Sequence, residues 1–540
     1  MTTRRQFLAR SGAAAATAVL SPQDALAATR RDRRPANLLR GGRFGQGVLS
    51  GDPAPDAITL LTVVDGVGGA GRVRLEIARD PDFRRVVGRR DILTTGAVGH
   101  SVKARVTGLK PHRRYWYRFE TRTRHSPVGR FQTALPPDSN ATVRFGFFSC
   151  ADFTHGYFNA YELLAREDLD FVISLGDYVY AETYSQVGDG RAVRDDTIGK
   201  PNRYYPAILR AAETLPEYRR KYALYRTDTS LRKLHATFPI VSTWDDHELL
   251  NNYANDAPDG GLTLRSGFSR ARRDAAYQAF FESMPVFPRG RSRIYRSQPH
   301  GRSVDLTMLD QRQYRADQPC GDAIAFPCSS WDRPRSLLGR RQLAFLKQRL
   351  SASRAAWKVI GGQSLMMQNR VHDGEYHRFD SWQGYPQERE DLLQHLARNG
   401  IKDVVFLTGD VHTFVAGDVR TSLGSGPPVA AEFASGSITA PTVAESNYRM
   451  PGRQLIAGND AQPATPPEIL AHYRGLNPWF DALDLDRHGY GLVSASPAAF
   501  DVTLKRLYTI KERGNYGTLP TTGFRWRLRR GRPSIAGTAL

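Results

Sequence analysis

The chain has 540 residues, of which 40% are hydrophobic and 24% charged. That is the composition of a folded soluble protein, and the length excludes a single hydrophobic core. The net charge of +22, carried mostly by arginine, favours anionic partners such as phosphate esters, nucleic acid or a lipid surface. No stretch has the dense basic run of a nucleic-acid-binding arm, and a solvated arginine-rich surface accounts for the charge equally well.

Residues 1–27 read as a twin-arginine export signal. Thr3-Arg4-Arg5-Gln6-Phe7-Leu8 precedes a small apolar stretch from Gly12 to Leu20, and Ala25-Leu26-Ala27 forms a small-residue cleavage site. The apolar stretch is too short and alanine-rich to span a bilayer, and no other segment has the pattern of a span. The expectation is therefore export of the folded protein by the Tat machinery, with its cofactor already loaded and no stable membrane insertion. Residues 28–42 are a basic, polar linker.

Residues 43–136 change character. Ile58-Thr-Leu-Leu-Thr-Val-Val64, Val73-Arg-Leu-Glu-Ile77 and Tyr115-Trp-Tyr-Arg-Phe119 are short alternating runs between Gly, Pro and Asp turns. This spacing predicts a small all-β sandwich. Gly108-Leu-Lys-Pro-His-Arg-Arg-Tyr-Trp-Tyr117 resembles the turn-then-strand of a fibronectin type III domain. The region carries no catalytic cluster, and Pro136-Pro137 marks its end.

From 137 to 515 strands and helices alternate, which predicts an α/β layered domain with ligands at the carboxyl ends of its strands. Val143–Phe148 runs into Cys150. A helix is expected over His155–Leu169, then a strand ending at Asp177. An insertion of roughly Thr183–Ala236 precedes Phe238-Pro-Ile-Val-Ser242 and Thr243-Trp-Asp-Asp-His-Glu248. Later strands lie near Ser303–Leu309, Trp357–Ile360, Val404–Leu407 and Val429–Phe433, with helices at Gly339–Leu350 and Glu388–Arg398. Residues 516–540 read as a basic C-terminal tail.

Cys150, Asp177, Tyr180, Asp246, His247, Asp410 and His412 all sit where a strand runs into a loop. Singly, each has an ordinary reading as a core residue or a turn. Together, thiol, phenol, imidazole and carboxylate at several strand ends suit a metal cluster better than packing. The soft and phenolate ligands favour a transition metal such as Fe(III), and Asp246, Glu248 and further oxygens suit hard cations such as Ca²⁺. Asp410 and His412 are two apart, so in extended backbone they would point the same way. His247 is placed to protonate a leaving group. Cys320 and Cys328 lie close in a loop-like region and are expected to pair in an exported protein, leaving Cys150 free.

Five stretches carry a family resemblance. Phe44-Gly-Gln-Gly-Val-Leu-Ser-Gly-Asp-Pro53, Gly176-Asp-Tyr-Val-Tyr180, Trp244-Asp-Asp-His-Glu248, Leu309-Asp-Gln-Arg-Gln-Tyr-Arg315 and Gly409-Asp-Val-His412 resemble the signatures of PhoD-like alkaline phosphatases and phosphodiesterases, in the family's order over roughly Phe44–Thr509. The resemblance implies a four-layered α/β sandwich of the metallophosphoesterase type, similar to purple acid phosphatases, using Fe(III) with two Ca²⁺. Cys150, Asp177, Tyr180 and His412 would hold iron, Asp177 would bridge, and Asp246, Glu248 and Asp410 would supply calcium ligands. Arg312 would hold substrate phosphate or, alternatively, pair with Asp310. The family often has Gly-Asn-Gln where this chain reads Gly361-Gly362-Gln363, so either Gln363 substitutes as a calcium ligand or one calcium site is altered or water-filled. The family's short active-site-covering helix has no counterpart in the sequence after Tyr508.

The resulting expectation is an exported phosphomonoesterase and phosphodiesterase. The alternative in the same chemistry is a phospholipase D-like diesterase acting on phospholipid head groups, which a basic surface would assist. A non-catalytic surface-binding protein would carry broken metal motifs, and here they are filled. Nucleic acid enters only as a substrate, since no Lys/Arg-aromatic stripe is present.

Overall fold

The computed structural model describes residues 38–184, 193–201, 208–256, 267–320, 327–372, 374–376, 378–448 and 466–540. The export-signal reading lies outside the described residues, as does most of the linker.

Two sheets form the centre. The first runs, in spatial order, through Arg525–Arg529, Ala499–Arg506, Gly489–Ala495, Val143–Phe148, Phe171–Ser174, Ile240–Ser242, Val48–Ala54, Ala57–Val63 and Ser101–Val106. The second runs through Arg296–His300, Val304–Met308, Trp357–Gly361, Val404–Thr408, Ser425–Ser435, Phe414–Ser422 and Phe480–Asp484. Each has a parallel centre: Val143–Phe148, Phe171–Ser174 and Ile240–Ser242 in one, and Val304–Met308, Trp357–Gly361, Val404–Thr408 and Ser425–Ser435 in the other. These central strands are apolar on both faces because both faces are covered.

The inner faces meet each other. Phe145, Phe147, Phe171, Ile173 and Val241 pack with Leu306, Met308, Val359, Val405, Leu407 and Phe433. The outer face of the first sheet is covered by Asn159–Leu164, Leu215–Tyr225, Thr229–Thr237 and Arg270–Ser283, through residues such as Tyr161, Tyr222, Leu234 and Phe280. Arg340–Ala352 and Pro386–Arg398 cover the other, through Leu346, Leu392 and Leu396. The architecture is helix, sheet, sheet, helix, the four layers expected from the resemblance. The helix expected over His155–Leu169 is confined to Asn159–Leu164. Its expected start is held in a loop, where Tyr157 donates its N–H to the Ile510 carbonyl at 2.7 Å.

The N-terminal region is a small β-sandwich. Val86–Thr94, Gly71–Ala78, Arg114–Glu120 and Gly129–Gln132 form a four-stranded sheet. It packs Val73, Leu75, Tyr117 and Phe119 against Ile58, Leu60, Val102 and Ala104. Tyr115 accepts the Lys110 N–H at 3.0 Å, in the manner of a tyrosine corner. The opposing sheet of this sandwich is not separate: Val48–Ala54 pairs in parallel with Ile240–Ser242 and so continues the central sheet.

The C-terminal residues do not form a tail. Arg525–Arg529 is the edge strand of the first sheet, with exposed arginines alternating with buried Trp526 and Leu528. That period of two is a strand signal which the arginine content obscures. The Trp526 indole donates to Asp481 at 2.7 Å, and Asp418 accepts the Ile535 N–H at 2.8 Å. Trp526→Ala should therefore cost about 3 kcal/mol of stability. A melting temperature equal to that of the unmodified chain would show that the C-terminal strand contributes nothing to the core.

Candidate metal centre

The parallel strands of both sheets discharge their loops at one edge. Cys150, Asp177, Asp410 and His412 occupy those loops with positive φ angles of 60°, 52°, 63° and 53°. For a side chain other than glycine the left-handed region costs about 1 kcal/mol, and strain of this kind collects at functional sites. Asp410 and His412 thus converge through a turn, not through extended backbone as their spacing suggested. Gly176 lets two of the loops touch: a Cβ there would lie 2.4 Å from the Asp245 Cβ. At Gly409 a Cβ would meet the Ser149 hydroxyl at 2.4 Å.

Glu248 binds the loops together. Its carboxylate accepts the N–H groups of Asp177 (3.0 Å), Asp245 (2.8 Å) and Tyr178 (2.7 Å). The expected role as a calcium ligand is corrected accordingly, because both of its oxygens face backbone donors. Gln363 is corrected for the same reason. Its amide donates to Thr243 Oγ1, the Trp244 carbonyl and the Leu309 carbonyl at 2.7–3.1 Å, and its oxygen accepts the Gln311 N–H at 3.2 Å. It locks three loops together, with its oxygen turned to a backbone donor.

Cys150, Asp177 and His412 each bring one ligand atom within 4.8 Å of the others. The Tyr180 hydroxyl lies 3.2 Å from Asp177 Oδ2 and 3.2 Å from His412 Nε2. His412 Nδ1 donates to the Pro441 carbonyl at 2.8 Å, which leaves Nε2 as a lone pair facing Cys150, Asp177 and Tyr180. Burial drives the His412 pKa down to about 3, so the imidazole is neutral. Burial also pushes the Cys150 thiol and the Tyr180 phenol well up, with Asp177 adding to both. A cation is what would make thiolate and phenolate the stable forms.

A second group adjoins the first. Asp245, Asp246 and Asp410 bring carboxylate oxygens within 4.8 Å of one another, and Asp177 joins Asp246 in a third such set. Arg312, fully buried, sits among them. Its Nε pairs with Asp245, and its Nη2 lies 3.3 Å from Asp246, 3.5 Å from Asp410 and 3.6 Å from Asp380. Asp310, the alternative partner expected for this arginine, instead accepts the Trp244 indole at 3.0 Å and the Gln313 amide at 2.9 Å. Asp246 Oδ1 is buried and makes no aligned hydrogen bond, its contact with Arg312 Nη2 being one of charge alone. Arg312, His247 and the nearby Arg378 do not balance Asp177, Asp245, Asp246, Asp380 and Asp410. The poorly bonded Asp246 oxygen, the charge imbalance and the donor set all fit bound cations.

His247 completes that third set, with a ring nitrogen within 4.8 Å of Asp177 and Asp246 oxygens. Its ring stacks on Tyr180 with centroids 4.1 Å apart, and Nδ1 pairs with Glu182 at 3.0 Å. Burial opposes its charge, but Asp246, Asp177 and Glu182 outweigh burial and raise its pKa well above the usual value. It is therefore held protonated, with Nε2–H 3.9 Å from Asp246 Oδ2. Sequence reasoning missed Glu182, Asp245 and Asp380. Glu182 and Asp245 each adjoin or closely follow a residue that was singled out, which was their available signal. Asp380 follows no strand and had none.

Four layers with this cluster at the strand ends define a metallophosphoesterase. Residues 145–504 match the PhoD-like phosphatase family, and residues 29–135 match the N-terminal domain of PhoD-like phosphatases. Alkaline phosphatase D of Bacillus subtilis (strain 168) is 36% identical over 419 residues, covering 73% of this chain and 69% of that protein. A solved structure of PhoD superposes with a TM-score of 0.79 at 30% identity, over 92% of each chain. Purple acid phosphatase from yellow lupin (Lupinus luteus) seeds shares the fold, with a TM-score of 0.51 at 13% identity, over 90% of this chain and 74% of that one. The chain belongs to the PhoD-like phosphatase family, and it is a phosphoric ester hydrolase.

Glu182→Gln should leave the fold intact and lower kcat by about 10²-fold, because it removes the hydrogen-bonded carboxylate that, with Asp246 and Asp177, holds His247 protonated and anchored. Steady-state kinetics beside a circular dichroism spectrum measures both, and unchanged kcat would remove Glu182 from the reaction.

Proposed function

We propose that the protein is an exported, metal-dependent phosphomonoesterase and phosphodiesterase. The observation that carries this reading is the convergence of Cys150, Asp177, Tyr180 and His412 beside the Asp245, Asp246 and Asp410 group. The thiol, phenol and imidazole nitrogen suit Fe(III), held by Cys150, Tyr180, His412 and Asp177. The carboxylates suit Ca²⁺, held by Asp246, Asp245 and Asp410 with Asp177 shared. Bound cations supply Lewis acidity toward the phosphoryl oxygens.

The chain's own groups provide the rest. Arg312 is fixed by four carboxylates and presents one buried guanidinium nitrogen, Nη1, without a partner. That nitrogen is the donor for a substrate phosphoryl oxygen. His247 carries its proton on a ring wedged against Tyr180 and anchored by Glu182, and donates it to the departing alkoxide oxygen. Glu248 and Gln363 hold the loops in register, so these groups need not reorganise when charge develops on the phosphoryl group.

Two experiments test this. Metal analysis of purified protein should give iron near one equivalent with calcium in excess, and a visible phenolate-to-iron band that Tyr180→Phe abolishes. A colourless, iron-free but active protein would overturn the assignment of Cys150 and Tyr180. Hydrolysis of p-nitrophenyl phosphate, bis-p-nitrophenyl phosphate and phosphatidylcholine vesicles separates monoesterase, diesterase and head-group-releasing activity. The export reading rests on Arg4-Arg5 and the small apolar stretch that follows. Replacing both arginines by lysine should retain the chain in the cytoplasm, and undiminished recovery outside it would refute a twin-arginine route.

A further inference from the structure

On the far side of the loop that carries Pro441 lies a second convergence of ligand-type side chains. His155, Glu445 and His488 each place one ligand atom within 4.8 Å of the others. His155 Nε2 and His488 Nε2 both lie 3.1 Å from the same oxygen, Glu445 Oε2, which also accepts the Thr442 N–H at 2.9 Å. The two histidine side chains are buried, and that of Glu445 is 13% exposed.

The protons do not fit a simple hydrogen-bonded triad. Ser437 Oγ donates its only proton to the Ala440 carbonyl at 2.5 Å. At 2.9 Å from His488 Nδ1 it can then only accept, so Nδ1 carries the ring proton. In the neutral imidazole, Nε2 is a lone pair aimed at a carboxylate oxygen. His155 meets a competing cation, and its Nε2 is free to donate to Glu445 only when Nδ1 takes the longer contact to Lys511. Lys511 Nζ, a donor only, lies 3.1 Å from His155 Nε2, 3.4 Å from Nδ1 and 2.8 Å from the His155 carbonyl. A nitrogen that accepts from Lys511 cannot also donate to Glu445. Placing two imidazolium rings there would set two cations beside the Lys511 ammonium in a buried space.

We propose that His155, Glu445 and His488 form a binding site for a first-row divalent cation of the zinc type, distinct from the catalytic centre. Two imidazole nitrogens and one carboxylate oxygen are a recurrent zinc donor set, and the Nδ1–H of His488 on a hydroxyl is the outer contact that fixes a ligating tautomer. The Lys511 ammonium is the competing cation. When the metal binds, Lys511 keeps its bond to the His155 carbonyl and yields the ring nitrogen. The site ties the loop of Ser437, Ala440, Thr442 and Glu445 to His155 and His488. The same loop supplies the Pro441 carbonyl that orients His412. The cation is thus a structural brace behind His412.

The full-length protein, its catalytic metals in place, is titrated with Zn²⁺, and iron, calcium and zinc are measured in the same samples after gel filtration. Roughly one equivalent of zinc is expected in the unmodified chain and in His412→Ala, and none in Glu445→Gln or His488→Asn. Lys511→Met, which removes a half-buried adjacent like charge, should bind zinc more tightly. It also keeps the proposal testable if the ligand variants do not fold. Retention of zinc in Glu445→Gln and His488→Asn, absence of zinc from the unmodified chain, or weaker binding by Lys511→Met would each overturn it. Iron and calcium in those samples report independently on the catalytic centre.

Discussion

The arrangement depends on confined negative charge. Asp177, Asp245, Asp246 and Asp380 are buried in one cluster with Asp410, and among the described residues Arg312, His247 and Arg378 oppose them. A buried ion without full compensation costs several kcal/mol, so such a cluster persists only where the surrounding fold over-determines it. The left-handed backbone at Cys150, Asp177, Asp410 and His412 adds to that cost. Cation binding would relieve the electrostatic part and leave the strain as preorganisation.

What over-determines the cluster is a set of polar side chains that never face it. Glu248 collects three N–H groups from two loops, and Gln363 links the Thr243–Trp244 loop to the Leu309–Gln311 loop. Both are fully satisfied inside the protein, where hydrogen bonds to a charged or amide group are strongest and hardest to replace. The aspartates can be left under-compensated because their backbones are held by residues whose own needs are met. The cluster and its clamp are one device, and the clamp explains why ligand-type residues outnumber the ligands.

This also marks how far the sequence could be read. An apolar run ending in Asp, Cys or His is a local pattern, and it located Cys150, Asp177, Asp246, Asp410 and His412 correctly at the strand ends. The direction in which a side chain leaves a loop is not local. Asp245 and Glu248 are both carboxylates in the same six-residue stretch, yet one faces the centre and the other turns back onto backbone. Asp380 reaches the cluster only through tertiary packing. The edge strand at Arg525–Arg529 was hidden because its solvent face is arginine, which reads as tail composition unless the alternation with Trp526 and Leu528 is given weight.

The continuity of the N-terminal sandwich with the central sheet was equally illegible, since a parallel pairing between Gly51 and Ile240 leaves no signal at either position. Its consequence is structural. Ile240–Ser242 is the strand that delivers Asp245, Asp246 and His247, and Val48–Ala54 is its outer neighbour. Without that neighbour the delivering strand would be a bare edge, free to fray or to pair elsewhere. The two regions are fastened beyond the ladder: Arg296 pairs with Asp52 at 2.5 Å, and Lys103 donates to the Val286 carbonyl at 2.8 Å. The small sandwich is therefore part of the frame that fixes the metal centre, even though it contributes no side chain to it.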